Sequence, residues 1–141
     1  MNRSPSTLRI MHVVVTDAFA GVERYVSRLA AGQAESGHRV VVIGGETSAM
    51  RTAISAMGDA PVALASAGTM LRAARRIRML GRRADVIHVH MTAAEIAVGL
   101  ATLTTPRRTG VVVSTRHFGR HRGHGPQGRI VAGVARRTLD A

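Results

Sequence analysis

The sequence predicts an α/β fold, a Rossmann-like doubly wound parallel sheet of about five strands with helices on both faces. Two observations predict it. Strand, helix and strand patterns alternate along the chain until five strands are reached, the order that builds parallel sheets covered by crossover helices. The first strand is almost continuously apolar, as strands buried on both faces are. The absence of an internal repeat, a low-complexity tract or a linker between domains leaves a single domain of ordinary size.

The elements follow in order. Met1 to Thr7 is polar and reads as a disordered tail, and residues 8–141 form the domain. Leu8 to Val15 is the first strand. The next helix places Val22, Tyr25, Val26, Leu29 and Ala30 at one face, with Glu23, Arg24, Arg28 and Glu35 largely turned away. Gly37 closes it in a left-handed or turn position. Arg39 to Ile43 is the second strand, broken by Gly44 and Gly45. A weaker helix spans Ser48 to Ala56, and Pro61 to Leu64 is a short third strand. A helix from about Thr69 to Leu80 buries Leu71, Ala74 and Ile77 and is stopped by Gly81. Asp85 to His90 is the fourth strand. Thr92 is placed to cap a helix reaching about Leu103, with Ile96, Ala97 and Leu100 inward. Gly110 to Ser114 is the fifth strand. Thr115 to Gly128 is a glycine-rich loop, and Arg129 to Leu139 reads as a helix.

Composition narrows the chemistry. The chain has 141 residues, 45% hydrophobic but only 2% aromatic, so its core rests on Val, Ile, Leu, Ala and Met. Lacking cysteine, it has neither disulfides nor thiolate metal sites. The amino terminus has no apolar signal-peptide core. No run reaches the roughly 18 apolar residues of a membrane span, and the longest candidate, Ala93 to Leu103, contains Glu95. These features set the expectation of a cytoplasmic protein. The net charge is +12 and all 20 basic residues are arginine, which reads either as a solvated basic surface, the reading charge alone favours, or as a contact for polyanions, anionic lipid or phosphorylated substrates.

Ligands of open α/β sheets sit outside the carboxyl ends of the strands. Three segments meet that rim: Thr16 to Gly21, His90 to Thr92, and Ser114 to Arg122. Ala20-Gly21 opens a helix whose free N–H groups and dipole suit an anion. Gly21 either lets a ligand approach the backbone or simply makes a tight turn. The chain has no G-x-G-x-x-G after the first strand, no G-x-x-x-x-G-K-[ST] and no G-x-S-x-G. Dinucleotide dehydrogenases, P-loop enzymes and α/β-hydrolases are therefore disfavoured. His88 and His90 share one strand face. Without a nearby carboxylate they read as packed strand-end histidines rather than a metal site, and His121 and His124 read as part of a basic loop. His117, beside Arg116 at the rim, suits a polar or phosphorylated ligand.

Leu71 to Arg83 carries the densest charge. Its outward Arg72, Arg75 and Arg76 read as a solvated face or, more sharply, as a contact for an anionic membrane surface. Nucleic acid is not expected, because no aromatic residues interleave the charges.

Three segments together resemble the amino-terminal domain of the family-four glycosyltransferases, which have the two-domain GT-B fold. They are Ala20-Gly21-Val22-Glu23-Arg24 with Gly37-His38-Arg39-Val40-Val41-Val42, then Asp85-Val86-Ile87-His88-Val89-His90, and Val111-Val112-Val113-Ser114-Thr115-Arg116-His117. The resemblance implies a retaining transfer of sugar from a nucleotide-sugar co-substrate to a sugar, lipid-linked or small-molecule acceptor. It implies no metal and no further cofactor. Ala20 and Gly21 would face the donor diphosphate, and His117 would reach the donor sugar near the reacting carbon. Asp17, Arg116 and Arg120 would be acceptor contacts. The family's usual first glycine is Ala20 here. The family's carboxyl-terminal domain, which holds most of the nucleotide, has no counterpart in these residues. The expectation is thus an incomplete GT-B amino-terminal domain, inactive alone, peripheral at the inner face of the membrane if Arg72, Arg75 and Arg76 bind lipid. A non-enzymatic α/β module for an anionic surface or phosphorylated ligand is the alternative.

Overall fold

The structure is a computed structural model and describes residues 6–103 and 110–117. Five parallel strands form one sheet: β1 (Arg9–Val14), β2 (Arg39–Ile43), β3 (Val62–Ala65), β4 (Val86–His90) and β5 (Val111–Thr115). Their spatial order is β3-β2-β1-β4-β5. The order reverses between β1 and β4, and crevices for ligands open at such switch points. The expected α/β class and parallel sheet are present.

Among the described residues four α-helices cover the sheet: α1 (Gly21–Glu35), α2 (Thr47–Ser55), α3 (Met70–Leu80) and α4 (Met91–Leu103). Alternation along each strand divides the interior. Ile10, Val14, Val40 and Val42 pack with Val22, Val26 and Ala30 of α1 and Met50 of α2. Met11, Val13, Ile87 and Val89 pack with Ala73, Ala74 and Ile77 of α3 and Ala94, Ala97 and Val98 of α4.

Local chemistry sets the helix ends. The Glu46 carboxylate accepts from the Ser48 and Ala49 N–H groups at the start of α2. Thr69 Oγ1 accepts from the Arg72 N–H at the start of α3. Gly37 follows α1 with φ of 87°, the left-handed conformation expected of it. Gly44, at φ 97°, is required twice over, because a Cβ there would collide with the Val14 carbonyl oxygen. That close approach fixes the exit of β2 against the rim of β1.

The structure corrects several expectations. Tyr25 is not on the buried face of α1 but 44% exposed, while Glu23 is only 5% exposed. Glu23 turns inward because its carboxylate accepts the Ala20 N–H at 2.8 Å. Leu71 is 76% exposed and Ala73 takes the buried place expected of it. The small Ala73 and Ala74 side chains let α3 lie close to α4 and the sheet, which turns Leu71 outward. Thr92 lies inside α4 and not at its cap: the helix begins at Met91 directly after β4, with Met91 at φ 71°. Ile96 and Leu100 are half-buried, and Ala94, Glu95 and Val98 fill the interior with Ala97. No leucine is fully buried among the described residues. The expected tail through residue 5, most of the loop to Gly128 and the helix at 129–139 lie outside the described residues.

Candidate active site

The switch point carries four histidines. β1 and β4 run in register, with His12 beside His88 and Val14 beside His90. His12, His88 and His90 therefore project from the same face of adjacent strands, toward α1. His117 follows β5 by two residues and joins them from the rim. His12 Nδ1 lies 3.1 Å from His90 Nε2, and His90 Nδ1 lies 3.2 Å from His117 Nε2. The other nitrogen of His12, Nε2, is 2.7 Å from Gln33 Oε1 on α1. His88 stands alongside, its ring centroid 4.2 Å from that of His90 and its Nε2 2.7 Å from Thr115 Oγ1.

Burial governs the protonation of this group. Desolvation pushes the His12 imidazole down to about 4, opposed by the Gln33 hydrogen bond and helped by His88. Desolvation also takes His90 down to about 2, with His88, His12 and His117 adding unfavourable charge. His88 is lowered as well, by burial first and then by His117. These three rings are neutral at pH 7, each with one donor and one acceptor nitrogen.

Nitrogen atoms of His12, His88 and His90 lie within 4.8 Å of one another, so the group invites comparison with a metal site. The ring directions argue otherwise. The centroids of His12 and His90 are 5.4 Å apart, as are those of His90 and His117. Each separation is close to the N···N distance plus two ring radii. In the His12–His90 and His90–His117 pairs the nitrogens therefore point at one another along the line of the rings.

Tyr25 joins this group to the first turn of α1. Its ring meets His117 edge-on, with centroids 4.9 Å apart and planes at 71°, the favoured aromatic geometry. Tyr25 lies one helical turn after Gly21, so the start of α1 and His117 belong to one neighbourhood. Gly21 is exposed, and a Cβ built there would meet nothing within 4 Å. Ala20 is exposed too, but its N–H is already donated to Glu23. Asp17 is exposed in the β1–α1 loop and packs beside Gly68.

A second polar group supports the end of β5. Glu95 of α4 is fully buried; Ser114 Oγ donates to its Oε1 at 2.6 Å, and Arg116 Nε lies 3.9 Å from the same oxygen. Arg116 is thus tethered beside His117 from below the rim. Arg120, His121 and His124 lie outside the described residues. Arg72, Arg75 and Arg76 are exposed on α3, in the helical layer on the opposite side of the sheet from α1. They line a shallow cavity of about 370 Å³ with Ser66 and Met79.

Sequence reasoning singled out His88, His90 and His117 but not His12, Gln33 or Glu95 as partners. His12 was visible as a polar residue in the middle of an otherwise apolar run, Ile10 to Val15. Gln33 and Glu95 had a fainter signal, each a polar residue on the inward stripe of its helix.

The family model of Glycosyltransferase Family 4 matches residues 19–141. The chain belongs to Glycosyltransferase Family 4. The matched span takes in Ala20, Gly21, His88, His90 and His117, and the parallel sheet is that of a Rossmann-like domain. No curated protein matches the chain. Among the described residues no helix of this family 4 chain is long and apolar enough to cross a membrane.

Proposed function

We propose that this chain contributes the rim of a sugar-transfer cleft in a retaining glycosyltransferase. The donor is a nucleotide-sugar, and the acceptor is a sugar, lipid-linked or small-molecule hydroxyl. The observation that carries the reading is the meeting, through Tyr25, of an open α1 start at Gly21 and the half-buried His117. A backbone amide and helix dipole at Gly21 suit the donor diphosphate. His117 suits the donor sugar next to the carbon at which substitution occurs.

In the reaction, the bond from the sugar carbon to the diphosphate oxygen breaks and a bond to the acceptor oxygen forms on the same face. The acceptor proton leaves with the departing phosphate oxygen. Positive charge develops on the sugar ring and negative charge on the diphosphate. The protein's part is to hold both substrates and to meet those charges with fixed dipoles. Asp17, Arg116 and Arg120 are the proposed acceptor contacts, and neither a metal nor a further cofactor takes part.

Calorimetry with a panel of nucleotide-sugars tests the reading. Binding should weaken at least tenfold in Gly21→Val and in His117→Ala. Unchanged affinity in both variants would remove this rim from the donor site.

A second reading concerns α3. Arg72, Arg75 and Arg76 border exposed Leu71 and Met79, and cationic residues flanking apolar ones suit an anionic membrane surface. Sedimentation with vesicles containing phosphatidylglycerol tests it. Binding should fall with added salt and with the double substitution of Arg75 and Arg76 by Ala, and binding indifferent to both would dismiss it.

A further inference from the structure

The four-membered chain Gln33, His12, His90 and His117 has a direction. We infer that Gln33, on the sheet-facing stripe of α1, sets which nitrogen of His117 carries the proton, acting through His12 and His90. A neutral imidazole has one donor and one acceptor nitrogen, so fixing one bond of such a chain fixes the next.

Gln33 Oε1 can only accept, and it lies 2.7 Å from His12 Nε2. The proton of His12 is then on Nε2, which leaves Nδ1 as an acceptor. His90 Nε2, 3.1 Å away, donates to it. His90 Nδ1 is left as an acceptor, and His117 Nε2 donates to it across 3.2 Å. The result at the rim is a His117 whose Nε2 carries a proton, so that the neutral ring has its lone pair on Nδ1. The nearly collinear ring arrangement supports each of these N–H···N bonds. Tyr25, edge-on to both His90 and His117, keeps the two rings from turning.

Burial serves the same end. His12 is fully buried and His90 is 1% exposed, so an imidazolium inside the chain is strongly disfavoured. An imidazolium would donate from both nitrogens and break the order of the bonds. His88 completes the packing but takes no part, because its Nε2 faces Thr115. Gln33 is therefore a positioning residue for His117.

This assignment rests on the reading of His117 as a group facing the donor sugar, where an acceptor lone pair beside developing positive charge is what the reaction needs. The test does not depend on that reading, because it needs no ligand. The chain is labelled with ¹⁵N-histidine, and the two- and three-bond ring correlations report which nitrogen is protonated. In the unaltered protein at pH 7.5, His117 should show the Nε2–H form. In Gln33→Met, which keeps the side-chain length but removes the acceptor, His117 should shift to a mixture of both forms. His12→Phe, which cuts the chain one member further in, should give the same mixture. The amide resonances of Tyr25 and Ala30 should stay in place in Gln33→Met, showing that the helix has not moved.

A His117 that stays in one form in Gln33→Met would overturn the inference, as would the Nδ1–H form in the unaltered protein. One equivalent of Zn²⁺ should leave the ring signals unchanged. Their collapse into a single metal-bound set would also overturn it, by making the cluster a metal site. A failed donor titration, by contrast, would leave the coupling of Gln33 to His117 standing.

Discussion

The two faces of the sheet are built on opposite principles. The face under α3 and α4 is closed mainly by aliphatic residues, Met11, Val13, Ile87, Val89, Ala73, Ala74, Ile77, Ala97 and Val98, with the buried Glu95 carboxylate held beside Ser114 and Arg116 at the β5 edge. The face under α1 and α2 has an aliphatic base, but at the β1–β4 switch point it turns polar with His12, His88, His90 and Gln33. Buried polar groups are costly unless every one finds a partner. Here the partners form one line that ends at the rim. The first face holds the fold, and the second, at its carboxyl end, holds the polar groups suited to chemistry.

The largest effect should come from the aliphatic face. Ile87→Ala removes a side chain that is 1% exposed and should cost about 2–5 kcal/mol of stability, read by urea unfolding. Donor affinity of the folded fraction should not change. An equal loss of affinity would mean that the two faces are not separable.

Acid should act on the other face. The folded-state values of His12, at about 4, and His90, at about 2, lie below the unfolded value near 6.5. The unfolded chain therefore binds more protons as pH falls through 6.5. Stability from these groups is fully present above that value and is lost on acidification toward the folded values. Each histidine contributes a slope of about 1.4 kcal/mol per pH unit within its window. Unfolding measured from pH 7 to pH 4.5 should show that slope, and His12→Leu should flatten it by about half. A slope unaltered by His12→Leu would place the acid sensitivity elsewhere.

Gly21→Val should have a smaller effect on folding and a selective one on binding. With open space where the side chain would go, stability should change by no more than about 0.5 kcal/mol. Donor affinity should fall at least tenfold, or about 1.4 kcal/mol. The smallest effect belongs to Arg75→Ala and Arg76→Ala. These exposed substitutions should leave stability and donor affinity alone and change only salt-sensitive vesicle binding.

Much of the fold was legible because it depends on periodicity and punctuation. The Val-rich runs, Gly37 and the Gly44-Gly45 break mark β1, β2 and α1 within a residue or two. Burial within helices was less legible where small residues decide it. Leu71 was expected inside because it is large and apolar, yet Ala73 is inside because α3 packs closely. Tyr25 was expected in the core, yet its ring belongs to the rim against His117. Pairings across the chain had no local signature. His12 and His90 are 78 residues apart, and only the parallel register of β1 with β4 brings them together. Glu95 reaches Ser114 in the same way, through the packing of α4 on the end of β5.

At the centre of this account is the proposal that the polar rim, and not the arginine face, receives the donor. Chemical-shift mapping on the ¹⁵N-labelled chain during titration with UDP-glucose or GDP-mannose tests it most directly. The Gly21 amide and the His117 ring should shift together, saturably and with one midpoint, while the amides of Arg72, Arg75 and Arg76 stay still. Shifts confined to those three arginines, or none at Gly21 and His117, would contradict it.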